Sequence, residues 1–207
     1  MQLQGIRVVD LSRILSGPFC SMFLADMGAE VIKIEDVDEG DPVRRQGHLR
    51  NGFSLYFASF NRNTRSVRRD RRSAEGKAVL RKRVATADGL IEGFRPGVME
   101  KIGLSRAELV ALKPELVSCH ITGFGMDGPY RDRPSFDFIA QAMSGFMSVN
   151  GAEGEPPARA APPLTGASRI STPFSASLAA TSRLASGAIE LMSATINPAL
   201  SPSRMPS

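Results

Sequence analysis

Short apolar runs alternate with amphipathic stretches over the first 164 residues of the chain. The β-branched run at 6–11 predicts a strand, and the loop at 12–17 leads to a proline that suits the first turn of a helix. The helix predicted over 18–27 ends at a glycine and is followed by a second apolar run at 29–35. Its apolar side chains recur near the helical period, at Phe19, Met22, Phe23 and Met27. The order strand, helix, strand predicts a βαβ unit.

A second cycle of the same kind follows. It comprises a helix over 75–87, a strand over 89–94, a helix over 105–113 and a strand over 115–121. Regular alternation of helices and strands favours a parallel sheet covered by helices on both faces. We therefore predict an α/β fold built on such a sheet.

Composition changes near residue 164. The last 43 residues, from Thr165, hold ten Ser and eight Ala but a single acidic residue, Glu190. The preceding Gly- and Pro-rich stretch at 151–163 is the natural boundary. We predict a domain over 1–150, a linker over 151–163 and an irregular, poorly ordered tail over 164–207, with no internal repeat.

Overall composition is that of a globular protein. Of 207 residues, 42% are hydrophobic and 23% are charged, and no stretch approaches the roughly 20 apolar residues of a membrane span. The first residues contain no basic and apolar leader pattern, so we expect a cytoplasmic protein without a membrane partner. Cys20 and Cys119 have no metal-ligand spacing, which predicts two reduced core thiols and no metal.

The net charge of +5 is concentrated in a basic run. Six arginines lie between Arg62 and Arg72, and four further cations lie between Lys77 and Arg83. Such a run is compatible with a solvated turn and helix face, a small phosphorylated ligand or nucleic acid. Nucleic acid is disfavoured because the chain has no Trp and two Tyr to act as stacking platforms.

An open α/β sheet binds ligands beyond the carboxyl ends of its strands, so the loops at 12–17, 36–45 and 95–103 are candidates. Glu35 closes the second strand, as an acidic residue does in dinucleotide-binding proteins. The first loop, however, lacks the glycine-rich fingerprint. Bulky Ile14 and Leu15 would hinder close approach of a pyrophosphate to the backbone, which disfavours a nicotinamide or flavin cofactor.

Several collinear segments carry a family resemblance. The opening of the chain resembles that of class III CoA-transferases, the CaiB/BaiF family, at residues 5–12, 16–18 and 24–35. This family includes formyl-CoA transferase and alpha-methylacyl-CoA racemase. Further matches follow in order at 40–44, 60–67, 75–77, 92–97, 101–104, 123–130, 136–137 and 141–145. Each motif is weak, but the resemblance covers roughly residues 3 to 160.

The resemblance implies a Rossmann-like domain that binds coenzyme A, in a homodimer whose subunits interlock like chain links. By motif position, the loop that covers the adenine corresponds to Arg13, Ile14, Leu15 and Ser16. Basic residues near the CoA phosphates correspond to Arg72 and Lys101, and the pantetheine segment corresponds to Gly93 and Phe94. Gly93 stands where the family usually has Asn, so this chain lacks that side-chain hydrogen bond.

Family chemistry implies a nucleophilic aspartate. Its carboxylate attacks the acyl-CoA thioester to form an anhydride, the CoA thiolate returns to form an enzyme thioester, and the acceptor acid completes the exchange. Relatives carry this aspartate shortly after the segment equivalent to 155–159, but no aspartate follows Asp137 in this chain. No catalytic residue is therefore assigned. We hypothesise that the reading frame changes near residue 164, so that the tail over 164–207 is not family sequence and the enzyme is truncated and impaired.

The racemase branch of the family uses a His-Asp acid/base pair. Here Phe136 precedes Asp137 where that branch has histidine, which disfavours racemisation. The two histidines are His48 and His120, and the second falls in a predicted buried strand, where a satisfied core residue is the more common outcome than a catalyst.

The leading prediction is a class III CoA-transferase, which moves CoA between an acyl-CoA and a small carboxylic acid. The alternatives are a non-catalytic module that binds CoA or a nucleotide, an acyl-CoA racemase-like relative, and a basic fragment that binds nucleic acid.

Overall fold

The centre of the fold is a parallel sheet of five strands. The computed structural model describes residues 1–150 and 154–159. Within them the sheet has the strand order β5-β2-β1-β6-β7, and all four strand pairs are parallel. The strands are β1 (Arg7–Asp10), β2 (Glu30–Glu35), β5 (Thr64–Arg68), β6 (Gly89–Glu92) and β7 (Val117–His120). The predicted α/β fold with a Rossmann-like sheet is confirmed.

Six helices connect or flank these strands. They are α1 (Ser16–Asp26), α2 (Leu55–Phe60), α3 (Ala74–Ala85), α4 (Val98–Lys101), α5 (Arg106–Leu112) and α6 (Asp137–Met143). Local signals define their starts: the Ser73 side chain accepts a hydrogen bond from the backbone of Gly76, and Ser105 forms a capping box with Glu108. Helices α1, α3 and α5 lie within two residues of their predicted bounds.

Two hydrophobic clusters cover the two faces of the sheet. On one face, Val9 and Ile34 pack with Leu80 and Val84 of α3. On the other face, Val8 and Val31 pack with Leu24 and Ala25 of α1. Neighbouring residues of a strand point to opposite faces, so a sheet that is buried on both sides has near-continuous apolar strands. The expectation of helices on both faces is confirmed.

Strand β5 is not among the predicted strands. Of the basic run, Arg65 and Arg68 lie on this strand, Arg62 lies in the turn before it, and the later members lie in the following loop and on α3. Strand β5 is an edge strand whose last four residues are exposed, and it pairs with β2 through its backbone. The sequence of β5 therefore lacks the apolar pattern by which a buried strand is predicted.

Smaller elements precede β5 and follow β7. A 3-10 turn, Pro42–Arg45, leads to the antiparallel pair β3 (Leu49–Arg50) and β4 (Phe53–Ser54), and a second 3-10 turn, Phe146–Val149, follows α6. Both cysteines are free thiols; Cys119 is buried and Cys20 is half-buried.

The predicted linker is described only in part. At 154–159 the chain runs back to Asn150, whose backbone carbonyl accepts a hydrogen bond from the Ala158 amide at 3.2 Å. The predicted tail at 164–207 lies outside the described residues. The domain boundaries therefore stay predictions.

Candidate functional site

The loops that follow β1 and β6 meet at the carboxyl edge of the sheet. These strands are neighbours, while the chain order continues outward from β1 to β2 on one side and from β6 to β7 on the other. This reversal is where open α/β sheets form a ligand crevice. The loops are joined at their base, since the Leu11 amide donates to the Ile91 carbonyl at 2.7 Å.

A buried carboxylate fixes the start of the loop after β1. Asp10 accepts hydrogen bonds from the Ser12 amide at 2.7 Å, the Ser12 hydroxyl at 2.5 Å and the Ser21 hydroxyl at 2.7 Å. Ser21 lies on α1, so this carboxylate ties the loop to the helix that follows it.

A buried ammonium ties the same loop to the one after β2. The Lys33 side chain is 1% exposed; its Nζ donates to the Ser12 carbonyl at 2.9 Å and lies 3.0 Å from Asp41 and 3.8 Å from Asp10. Asp41 in turn accepts from the Ile14 amide. Two carboxylates and a carbonyl thus compensate the charge that burial would otherwise penalise.

The loop that is predicted to cover the adenine has a strained backbone. Ile14 has a φ of 72°, a left-handed conformation that is rare for a β-branched residue, and its side chain is half-buried. Leu15 is buried, Ser16 begins α1, and Arg13 is exposed. Such local strain persists only where the surroundings enforce it, and it often marks a functional site.

Phe94 brings two arginines together. The guanidinium carbon of Arg13 lies 5.6 Å from the centre of the Phe94 ring, and that of Arg71 lies 5.0 Å from it. Phe94 itself is buried, and its amide donates to Glu92 at 2.6 Å. Loops after three different strands, β1, β5 and β6, therefore supply this cluster.

Arg71 is the less solvated of the two guanidinium groups. Its side chain is 12% exposed, it pairs with Asp36 at 3.5 Å, and its buried Nε has no hydrogen-bond partner among the described residues. Burial lowers the pKa of Arg71, and the nearby charges of Arg13 and Arg72 lower it further, against the opposite effect of Asp36. The cluster thus holds excess positive charge and an unused donor.

Three other residues of the predicted CoA site, Arg72, Lys101 and Gly93, are exposed. Arg72 is exposed, so the structure turns its neighbour Arg71, rather than Arg72, toward Phe94. Lys101 ends α4 and is exposed. Gly93 is exposed beside Phe94; a Cβ there would lie 3.4 Å from the Ile121 carbonyl and 3.9 Å from Ser12 Cβ.

The loop after β2 has its own anchor. Glu35 accepts two hydrogen bonds from Arg44 at 2.6 Å, one from the Asp41 amide at 2.7 Å and one from Ser66. Burial raises the pKa of Glu35, but the hydrogen bonds from Arg44, Ser66 and Asp41 and the charge of Arg44 lower it more strongly, to about 2. Glu35 therefore acts here as a structural carboxylate.

Sequence reasoning missed Arg71, Lys33 and Asp41. A strand of apolar pattern gave no signal that its lysine is buried, and the aspartate that neutralises it lies eight positions later. The arrangement that results can bind an anion through the two guanidinium groups that the Phe94 ring holds together. Within residues 1–150 and 154–159, no three His, Cys, Asp or Glu side chains are grouped so that they could hold a metal ion. No helix in this part of the chain is long and apolar enough to span a membrane.

Similar proteins have been solved and characterised. The chain is 43% identical over 158 residues to a succinyl-CoA–D-citramalate CoA-transferase of Chloroflexus aurantiacus, covering 76% of this chain and 39% of that protein. It is 44% identical over 162 residues to a succinate–glutarate CoA-transferase of Agrobacterium fabrum, covering 74% and 40%. The chain thus spans about two fifths of the length of these relatives.

Solved structures share the fold. A CaiB/BaiF family protein from Brucella suis superposes with a TM-score of 0.75 at 36% identity, covering 93% of this chain and 55% of that one. A Mycobacterium tuberculosis protein superposes with a TM-score of 0.73 at 31% identity, covering 89% and 52%. The family model of CoA-transferase family III matches residues 3–188, a range that continues past the compositional change at residue 164. The chain therefore belongs to CoA-transferase family III.

Proposed function

We propose that this chain binds the CoA part of an acyl-CoA at the carboxyl edge of its sheet, as part of a transferase that passes CoA to a small carboxylic acid. The observation that carries the proposal is the approach of Arg13 and Arg71 to the Phe94 ring. Coenzyme A carries several phosphate groups, and this cluster offers two guanidinium groups as donors, held together by the Phe94 ring.

Each part of CoA has a matching chemistry at this edge. The 12% of the Arg71 side chain that is exposed can present its planar guanidinium to a phosphate, for which that group is well suited. Ile14 offers an apolar surface for the base, and exposed Gly93 leaves room for the pantetheine chain beside the backbone. Arg72 and Lys101 supply additional positive charge that attracts the ligand over a longer range.

The reaction class follows from the family. Relatives named succinyl-CoA transferases support succinyl-CoA or a similar thioester as donor, with a small carboxylic acid as acceptor. The sequence has no aspartate after Asp137, and Asp137 is buried and accepts from Gln141 at 2.7 Å. We infer that this chain binds CoA but transfers it slowly or not at all.

Calorimetric titration with CoA tests the binding site. We expect wild-type protein to bind and Arg71→Gln to lose about tenfold in affinity, since one charge-assisted hydrogen bond to phosphate is removed. Arg83→Gln is the matched control, because Arg83 is an exposed arginine of α3 outside the cluster. Equal affinities for the two variants would place CoA elsewhere.

Turnover separates the transferase from a non-catalytic binding module. Transfer of CoA from a formyl-CoA or succinyl-CoA donor, together with an enzyme thioester trapped by hydroxylamine, would identify the active transferase. CoA binding without either signal would identify the binding module. Binding to DNA with a steep salt dependence and without CoA affinity would favour the nucleic-acid alternative.

Three further properties accompany this proposal. Racemisation is disfavoured by Phe136, which is 66% exposed and cannot exchange a proton. We also propose an interlocked homodimer, which the family resemblance implies, and a cytoplasmic location. The change of reading frame near residue 164 is tested by translating the DNA across codons 155 to 175 in all three frames; absence of an aspartate-containing family segment from the other two would refute it.

A further inference from the structure

A histidine and a glutamate are paired at the ligand edge of the sheet. Glu92 ends β6, His120 ends β7, and the two residues are partners in the strand register. His120 Nδ1 lies 2.6 Å from Glu92 Oε1, with the side chains 15% and 1% exposed respectively. The proposed binding of CoA leaves this pair without a role.

The second oxygen of Glu92 leads to the proposed site. Glu92 Oε2 accepts the hydrogen bond of the Phe94 amide at 2.6 Å. Phe94 carries the ring that Arg13 and Arg71 approach. One buried carboxylate therefore links the imidazole to the backbone of the residue on which the arginine cluster is built.

We propose that His120 is a positioning residue: by holding Glu92 it fixes the backbone of Phe94, and through that ring it sets the positions of Arg13 and Arg71 for an anionic ligand. The inference rests on the proposed CoA site for its effect on affinity. Its effect on Phe94 is independent of any ligand.

The surroundings of His120 favour its charged form. A hydrogen bond to Glu92 raises the pKa of His120, and the charges of Glu92 and Cys119 raise it further. Burial and the charge of Arg106 on α5 act in the opposite direction, and the pKa stays above its ordinary value of 6.5. The imidazolium is thus retained as pH rises past 6.5, where it compensates the buried carboxylate.

Deprotonation of His120 weakens its interaction with Glu92 as pH rises. The interaction is complete below pH 6.5 and weakens as pH rises through the raised pKa of His120, because a neutral imidazole can donate to Glu92 but no longer neutralises it. We therefore expect CoA affinity to fall on the alkaline side in wild-type protein, and this fall to disappear in a variant that lacks the imidazole.

Three variants test the proposal. His120→Leu removes the donor, His120→Gln keeps an N–H donor without the charge, and His48→Leu removes the other histidine of the chain, which is exposed. In ligand-free protein, hydrogen exchange of the peptide that contains Phe94 should accelerate about tenfold in His120→Leu and remain at the wild-type rate in His48→Leu. His120→Gln should restore slow exchange in large part.

The same variants are titrated with CoA between pH 6 and 9. We expect His120→Leu to bind about tenfold more weakly at pH 6.5, and both His120 variants to lose the alkaline fall in affinity that wild type and His48→Leu retain. A purely structural role for His120 would lower stability without changing this pH profile.

The outcomes separate the two proposals. If wild-type protein binds no CoA, the proposed function fails, and hydrogen exchange at Phe94 alone decides the role of His120. Exchange and pH profile in His120→Leu that equal those in His48→Leu would overturn the positioning role. Should His120→Leu not fold, the pH profile of His120→Gln decides: an alkaline fall that persists in that variant refutes the proposal.

Discussion

The amide of Ile14 donates to both carboxylate oxygens of Asp41, at 3.2 and 3.3 Å. Asp41 lies 27 residues further along the chain, in the loop after β2, and is itself held by the buried Lys33 at 3.0 Å. The carboxylate of a buried ion pair thus accepts the amide hydrogen bond of Ile14, whose φ is 72°. The strained loop after β1 and the buried Lys33–Asp41 ion pair therefore form one unit.

Replacing Asp41 by asparagine tests the strength of this unit. Asp41→Asn removes the nearer counter-charge of Lys33 and leaves Asp10 at 3.8 Å. We expect the free energy of unfolding to fall by about 3 to 5 kcal/mol, as when one partner of a buried pair is removed. Urea unfolding followed by circular dichroism measures this value.

Glu39→Gln is the matched control for that experiment. Glu39 lies in the same loop and pairs with Arg45 at 3.1 Å, but both side chains are largely exposed. An exposed pair contributes less than about 1 kcal/mol. Equal losses in the two variants would show that Lys33 does not depend on Asp41.

A second prediction concerns Ile14 itself. Ile14→Gly relieves the left-handed strain, roughly 1 to 3 kcal/mol, but loses apolar burial and adds freedom to the unfolded chain. These effects largely cancel, so we expect stability within about 1 kcal/mol of wild type and weaker CoA binding. In contrast, Leu15→Ala empties a buried position and should cost about 2 to 5 kcal/mol. An Ile14→Gly protein with unchanged CoA affinity would remove Ile14 from the proposed site.

A third prediction concerns acid stability. The pKa of Glu35 is lowered from 4.5 to about 2, so its contribution is present above pH 4.5 and is lost as pH falls toward 2. The shift corresponds to roughly 3 kcal/mol. We expect Glu35→Gln to be less stable than wild type by about this amount at pH 7, and the gap to narrow steadily between pH 5 and 3 in urea unfolding. A gap of constant size over that range would contradict the role given to Arg44.

The core of this fold was predictable from the sequence, whereas the edge strand β5 was not. Strands β1, β2 and β6 are buried on both sides, so their apolar runs stand out, and the other edge strand, β7, is mostly half-buried. Strand β5 exposes its residues 65–68 and is held by backbone pairing with β2. Because that pairing depends on residues more than 30 positions away, no local sequence pattern predicts it.

The candidate site likewise contains residues that the sequence identifies and residues that it does not. Motif order identifies the loop at 12–17 and Phe94 as candidates. It does not distinguish Arg71 from Arg72, since adjacent residues of one basic run have equal chemistry. In the structure Arg71 contacts Asp36 and Phe94, which lie 35 residues before it and 23 residues after it.

A fourth prediction concerns the apolar surface near the end of the described domain. Met143 is 58% exposed and Val149 is 81% exposed, and Phe136 and Phe138 lie in the same segment with comparable exposure. Exposed apolar patches of this kind mark interaction surfaces or cause aggregation. We expect the chain to associate as its concentration rises in size-exclusion chromatography, and Met143→Ser with Phe138→Ser to reduce that association. A monodisperse monomer at every concentration would contradict the expectation.

The last prediction concerns Gly93, which stands where the family usually has asparagine. A Cβ at this position would make ordinary contacts, at 3.4 Å with the Ile121 carbonyl and 3.9 Å with Ser12 Cβ, and Gly93 has no left-handed φ that would disfavour a side chain. Gly93→Asn should therefore fold with unchanged or slightly higher stability, since a glycine is removed from the unfolded chain. It should also bind CoA several-fold more tightly by adding a hydrogen-bonding amide beside the pantetheine. Gly93→Ala is the control, because it adds the Cβ without the amide. If both variants bind CoA as wild type does, the pantetheine does not lie beside residue 93.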